Sequence, residues 1–336
     1  MQSTTDCPKC TRVLVLSDTH GESSIESTEL PQADIAIHCG DLTDESKLSE
    51  FHASLRLLES LPAPLELVIA GNHDFTLDNN TYQQKATEAT TRLGIEPELL
   101  RRELGALFDA DNARAAGIVL LDEGNHSFNL TNGAQLTVYA SPLTPSASAD
   151  WGFQYIPAYG DGEFDHAWDI REKTDIVITH SPPRGVLDHT DSRQKADSPS
   201  LLSAVAKMKP KLHCFGHIHE GWGARAVAWR PNEEMEGERA VSHFTAIDND
   251  HSVTVKSLTT LKGGKLGTEE VASGKMRKAE EYLQKGYCEA KLPCGEQASS
   301  DGLDKTLLVN ASIESRDPEG GQQLPWLVEL NLPAHA

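Results

Sequence analysis

Arg12 to His20 reads RVLVLSDTH, a short run of valines and leucines that ends abruptly in polar side chains. Apolar residues on both faces mark a strand buried on both sides, the kind that builds parallel sheets. Two further runs repeat the pattern: DIAIHCGD (Asp34–Asp41) and LELVIAGNHD (Leu65–Asp74), with a helix expected over Lys47–Ser60 between them. Strand, helix and strand in this order predict a parallel β-α-β series.

Outward from that core, Thr81 to about Phe108 is charged and helical in pattern, broken into two pieces by Gly94 and Pro97. Ile118–Asp122 reads as a strand, followed by a hairpin whose turn is Asn132-Gly133 between HSFNL and QLTVYA. The aromatic and proline-rich stretch Ser141–Tyr159 is expected to be an ordered loop, because Trp151, Phe153 and Tyr155 are costly to leave in water. Strands resume at Asp175–Thr179 and Lys211–Phe215, with a helix near Ser200–Lys207 between them and a hairpin-like stretch at Ala224–Trp229. Residues 230–304 are polar, carry a helix over Thr268–Gln284, and include GEQASSDG at Gly295–Gly302, which reads as flexible. Thr306–Val309 and Trp326–Leu330 return to the sheets. The expectation is one domain over residues 1–336, with 230–304 as a polar excursion within it.

Composition sets the outer limits. The chain has 336 residues, 38% of them hydrophobic, with 30 basic against 51 acidic side chains for a formal charge of -21. No apolar run approaches the ~20 residues needed to cross a bilayer, and Met1–Cys10 lacks the basic start and apolar centre of a secretory signal. A soluble, cytoplasmic protein without a membrane partner is expected. The negative charge opposes counterion-release binding, so a nucleic acid polymer is not an expected partner; a small phosphorylated molecule meeting bound cations is compatible with it. Six cysteines in such a chain read as reduced thiols. Cys39 and Cys214 belong to strand-like runs, and Cys7 and Cys10 have zinc-ribbon spacing but lack a matching second pair, so an incidental thiol pair is the reading there.

Five groups of metal-capable side chains follow expected strands directly: Asp18-x-His20, Gly40-Asp41, Gly71-Asn72-His73-Asp74, His180, and Gly216-His217-x-His219. In open α/β sheets the loops at the carboxyl ends of strands converge on one crevice. Carboxylate, imidazole and amide oxygen without thiolate suit Mn, Fe, Zn or Mg. Asp18, His20, Asp41, Asn72, His180, His217 and His219 make seven candidate ligands, too many for one ion with an open position. Two ions about 3.5–4 Å apart, sharing a carboxylate, accommodate them and suit in-line displacement at phosphorus.

D-x-H, GD, GNHD, H and GHxH in this order resemble the calcineurin-like metallophosphoesterase superfamily. The finer texture, IHCGDLTD, VIAGNHD, DWGFQY, THSPPRGVLD, FGHIHEGWG and the late VNASI, is similar to the metallophosphoesterase-domain-containing branch, although the GNH motif ends here in Asp74 where that branch commonly has glutamate. The resemblance implies a four-layer α-β-β-α sandwich with two mixed β-sheets. It implies that Asp18, His20 and His219 hold a first metal ion, that Asn72, His180 and His217 hold a second, and that Asp41 bridges them. The ions would be divalent or transition cations, Mn, Fe or Zn, activating a bridging hydroxide. His73 would contact the phosphoryl group and protonate the leaving oxygen.

His73 needs a partner to fix its tautomer. Asp44 matches the second aspartate of GDxxD and is preferred over the adjacent Asp74; its alternative is to cap the helix that follows. Arg184 can meet a substrate phosphate or stand as a solvated loop arginine. His38 and His213 lie within strands and read as packed. The leading function is a dinuclear phosphoesterase acting on a small phosphoester, tilted by the resemblance toward a phosphodiester such as a cyclic nucleotide. The alternatives are a phosphomonoesterase on a small metabolite and a non-catalytic binding module that keeps the fold.

Overall fold

Each of the apolar runs forms a strand, and the parallel series opens the first sheet. The computed structural model describes residues 7–26, 29–93, 107–108, 113, 116–146, 150–157, 166–190, 198–231, 241–258, 269–291, 304–315 and 321–335. Strands β1 (Lys9–Leu16), β2 (Ile35–His38), β3 (Glu66–Val68) and β4 (Ile118–Leu120) lie side by side in parallel. Helix α1 (Leu48–Glu59) makes the crossover from β2 to β3, and α2 (Asn79–Leu93) follows β3. The expected break at Gly94 and Pro97 lies outside the described residues, as does GEQASSDG.

The second sheet begins with the hairpin β5 (Gly124–Asn129) and β6 (Gln135–Ser141), paired antiparallel. Its Asn132-Gly133 turn uses the left-handed backbone that glycine tolerates, with Gly133 at φ 83°. The stretch after β6 holds two short paired strands, β7 (Thr144–Pro145) and β8 (Gln154–Tyr155). Strand β9 (Ile176–Thr179) joins β6 in parallel, and β10 (Leu212–Phe215) joins β9. Between them, α3 (Pro199–Met208) starts where Ser198 Oγ accepts the Leu201 N–H and Pro199 occupies the first turn.

The rest of the chain closes both sheets. Strand β11 (Gly223–Trp229) pairs antiparallel with β12 (Ile247–Ser257) on one side and with β14 (Lys305–Asn310) on the other. The short helix α4 (His243–Ala246) leads into β12, and α5 (Glu269–Lys285) leads into β13 (Cys288–Lys291). The last strand, β15 (Trp326–Leu332), lies antiparallel against β1 and parallel to β13. The orders are β13-β15-β1-β2-β3-β4 and β12-β11-β14-β10-β9-β6-β5. Residues 230–304 thus supply an edge strand to each sheet, β12 to one and β13 to the other.

Three cores separate four layers. Val13, Val15, Ile35 and Ile37 of the first sheet meet Val138, Ile176, Ile178 and Val309 of the second between the sheets. On the outer face of the first sheet, Leu14, Leu16 and Ala36 pack against Phe51, Leu55 and Leu58 of α1. On the outer face of the second, Val177 and Phe215 pack against Leu201, Leu202 and Val205 of α3. Each fully buried Val, Leu or Ile contributes about 1.5–3 kcal/mol relative to exposure, so strands apolar on both faces are what this layering selects. The architecture is the expected four-layer α-β-β-α sandwich with two mixed sheets. Among the described residues, no helix is long and apolar enough to cross a membrane.

Candidate metal centre

β1, β2, β3, β9 and β10 all end at one edge of the sandwich, and the residues just beyond them converge there. The chain is zipped across the gap: Asp18 N–H donates to the Gly40 carbonyl, His20 N–H to the Asp41 carbonyl, and Gly216 N–H to the His180 carbonyl. Two glycines make the approach possible. A Cβ at Gly71 would collide with Asp41, and one at Gly216 would collide with the Asp18 carboxylate.

The metal-capable atoms form overlapping groups. Asp18, His20 and His219 offer ligand atoms within 4.8 Å of one another, and so do Asp41, His180 and His217. Asn72 completes the second group, with its Oδ1 3.1 Å from His180 Nε2, which itself lies 3.2 Å from Asp41 Oδ2. In the first group His219 Nε2 is 3.3 Å from Asp18 Oδ1 and 3.4 Å from His20 Nε2. Ligands at right angles around a cation at about 2.1 Å are about 3 Å apart, so the donors are spaced as a cation would require. His20, Asp41 and His73 form a third overlapping group. All seven expected ligands are therefore brought together.

Backbone strain marks the same residues. Asp18, His20, Asp41 and His217 have φ of 54°, 45°, 53° and 66°, four of the nine non-glycine residues with positive φ among those described. Each such conformation costs on the order of 1–3 kcal/mol and persists only where the surroundings over-determine it. Here the carboxylates do so. The His217 N–H donates to Asp18 Oδ1 and Oδ2, and the His73 N–H donates to Asp41 Oδ1.

Charge is arranged to keep the carboxylates ionised. Burial opposes the charge on Asp18, but the hydrogen bond and charge of His219 hold its carboxyl well below the usual range. Asp41 is likewise held low, with the His180 charge overcoming burial. Burial pushes His217 down to about 3, leaving a neutral imidazole fit for a cation. His180 responds in the opposite sense, because Asp41 overrides burial and raises it to about 9.

His73 stands at the rim. Its Nδ1 donates to the main-chain carbonyl of Asp44 at 2.6 Å, and its ring lies 4.3 Å from that of the partly exposed Trp151, tilted by 34°. The Asp44 carboxylate, preferred above as the orienting group, is 3.7 Å from Nδ1 of both His73 and His20, too far for a hydrogen bond. The reason is local: the turn after Asp41 aims the Asp44 carbonyl inward, while its carboxylate remains mostly exposed. Nor does Asp44 cap α1, whose N-cap is Lys47.

Asp74 is fully buried and accepts the N–H groups of Leu42, Thr43 and Gly71 as well as the Thr43 hydroxyl. It ties the loop after β2 to the loop after β3, although burial and the Asp41 charge push its carboxyl up to about 6. Arg184 lies in the loop after β9, its N–H donating to the Ser198 carbonyl. His38 and His213 are buried, with Nε2 within hydrogen-bonding distance of the hydroxyls of Thr19 and Thr179. Two residues beyond the expected set also reach the centre. Ser312 Oγ donates to Asp18 Oδ2 at 2.8 Å, and Glu314 Oε2 lies 3.2 Å from both His20 Nε2 and His219 Nδ1. Ser312 belongs to the late VNASI segment, whereas Glu314, one residue beyond it, had no signal in the sequence.

The profile described as calcineurin-like phosphoesterase matches residues 11–221, more than half of the chain. The chain belongs to the calcineurin-like phosphoesterase family. Within it, metallophosphoesterase domain-containing protein 1 of Homo sapiens is 31% identical over 225 residues, covering 65% of this chain and 64% of that protein. The probable rhamnogalacturonate lyase C of Emericella nidulans is 33% identical over 229 residues, which is 65% of this chain but 18% of that protein. The match thus spans less than two thirds of the length of either relative. By this likeness the chain is similar to the metallophosphoesterase-domain-containing branch of the family. Carboxylate, imidazole and amide donors in overlapping groups are the chemistry a pair of cations in such a phosphoesterase needs.

Proposed function

We propose that this chain hydrolyses a small phosphodiester, with a cyclic nucleotide as the substrate class, at a dinuclear centre of Mn, Fe or Zn. The observation that carries this reading is the convergence of Asp18, His20 and His219 with Asp41, His180 and His217, Asp41 lying within reach of both groups. Cations bound there would supply a water of lowered pKa and neutralise phosphoryl charge.

The chain's own residues do the rest. The His217 and His73 N–H groups fix the Asp18 and Asp41 carboxylates where the cations would meet them, and Asn72 Oδ1 with His180 Nε2 would complete the second half-site. With Nδ1 committed to the Asp44 carbonyl, His73 presents Nε2 to the leaving oxygen and can protonate it. Trp151 packs on His73 and keeps the ring from turning. Lys85 Nζ, 5.3 Å from the Trp151 ring and 4.5 Å from that of Phe75, adds a cation to this aromatic wall. An aromatic face beside a positive charge suits an anionic ester with a flat substituent. The formal charge of -21 elsewhere disfavours a polyanionic polymer.

The test is to load metal-free protein with Mn(II) or Zn(II), count bound ions, and assay a panel of mono- and diesters that includes 2′,3′- and 3′,5′-cyclic nucleotides. Two ions per chain with metal-dependent cleavage of a cyclic diester is the expected result. Cleavage of monoesters alone would overturn the diester assignment, and no cleavage despite two bound ions would overturn the enzymatic one.

A further inference from the structure

We propose that the buried His38 is a positioning residue of the centre, its imidazole joining the loop that carries Asp18 and His20 to the loop that carries Asp41. This rests on the dinuclear reading above. His38 touches neither substrate nor cation; it acts through the backbone that presents three of the candidate ligands.

Both ring nitrogens are committed, and that fixes the tautomer. The Gly40 N–H donates to His38 Nδ1 at 3.3 Å, so Nδ1 carries no proton. The ring proton is therefore on Nε2, which lies 3.0 Å from Thr19 Oγ1 and donates to it. Thr19 stands between Asp18 and His20, and Gly40 immediately precedes Asp41. One neutral imidazole thus spans the loops after β1 and β2, with one bond inside each ligand-bearing run.

Packing alone gives no reason for an imidazole at this place. His38 is the last residue of β2 and 1% exposed, paired with Leu16 of β1 and Val68 of β3, both fully buried in the apolar layer beneath α1. A leucine or valine would fill such a position without burying polar atoms. What the imidazole adds falls on strained backbone: Asp18, His20, Gly40 and Asp41 have φ of 54°, 45°, 99° and 53°. Conformations of this kind in non-glycine residues last only where several contacts hold them. The main-chain bonds from Asp18 to Gly40 and from Thr19 and His20 to Asp41 zip the two loops together, and the His38 bonds tie the same loops through a side chain. The second sheet uses the same device. His213 Nε2 lies 2.9 Å from the Thr179 hydroxyl, which gives its own proton to the Ser181 carbonyl, so His213 must donate to the residue just before His180.

The experiment is calorimetric titration of the metal-free full chain with Zn(II) alone, with thermal melts in the presence and absence of Zn(II), for the wild type, Thr19→Val, Thr19→Ser and His38→Asn. The wild type should bind in two steps. Thr19→Val keeps the shape of the side chain and removes the acceptor; it should weaken at least one step by about 10-fold, the low end of the usual cost of losing support behind metal ligands. The rise in Tm brought by Zn(II) should shrink with it. Thr19→Ser restores the hydroxyl and should bind as the wild type does. His38→Asn, which keeps an oxygen for the Gly40 N–H but is too short to reach Thr19, should weaken binding as Thr19→Val does. Unchanged Zn(II) affinity in Thr19→Val and His38→Asn, with Tm lowered equally with and without the ion, would overturn the proposal and leave the pair a purely structural role. A Thr19→Ser as weak as the valine variant would overturn it too. A wild type that binds no Zn(II) would instead overturn the dinuclear reading on which the proposal stands.

Discussion

His73 owes its orientation to a main-chain oxygen, and that changes what substitution at Asp44 should do. Replacing the side chain leaves the carbonyl, so Asp44→Asn keeps the 2.6 Å bond to Nδ1 and removes only a carboxylate 3.7 Å from two imidazoles. The expected loss in kcat is less than about 10-fold, whereas His73→Ala should lose about 10²–10⁴-fold, the usual range for a general acid. Steady-state kinetics on a cyclic diester separates the two, and equal losses would restore the Asp44 carboxylate to the mechanism. Residue types and their order along the chain were legible: the seven candidate ligands stand directly after apolar runs. The identity of the His73 partner was not, because a carbonyl that any residue carries leaves no trace in sequence.

At the scale of elements, β3 and α1 contain a conflict that makes stability depend on pH. Glu66 lies on β3 with Oε2 buried and without a hydrogen-bond partner, and burial together with the Glu59 charge pushes its carboxyl up to about 8. Near pH 4.5 the group begins to ionise in the unfolded chain while it stays neutral in the fold. Stability is therefore lost as pH rises from about 4.5 through 8. Glu66→Gln removes the titration. The variant's gain over wild type should be small near pH 5 and grow by about 1–3 kcal/mol by pH 8.5, a figure discounted for partial solvent access. Thermal melts across that range check it; a gain independent of pH would mean that Glu66 is not held neutral. The buried strands were readable from sequence because both faces are apolar. Strand β12 was not, since most of its side chains are exposed and polar and only Ile247 and Lys256 are buried.

For the whole molecule, the centre gathers two ionised carboxylates, strained backbone and several imidazoles at the meeting edge of both sheets. Divalent cations relieve that repulsion, and a ligand that binds only the native state stabilises it by about 2.7 kcal/mol at a hundred times its Kd. Saturating Mn(II) or Zn(II) should raise Tm by several degrees over chelator-treated protein. Coincident melts would show that the centre is stable without them. Where Ser312 and Glu314 would sit could not be read along the chain. Their position follows from the bridge between Ser17 and Ser312, which depends on how two sheets stack.

That bridge has a consequence for synthesis. Strand β1 takes its antiparallel partner from β15, and the Ser312 hydroxyl that holds the Asp18 carboxylate comes from just before it. A chain still emerging from the ribosome leaves one edge of β1 unpaired and the Asp18 carboxylate without the Ser312 hydroxyl. Contacts between such distant segments form late. The candidate ligands of both half-sites precede residue 220, so all of them are synthesised before the strand that closes the outer edge of β1.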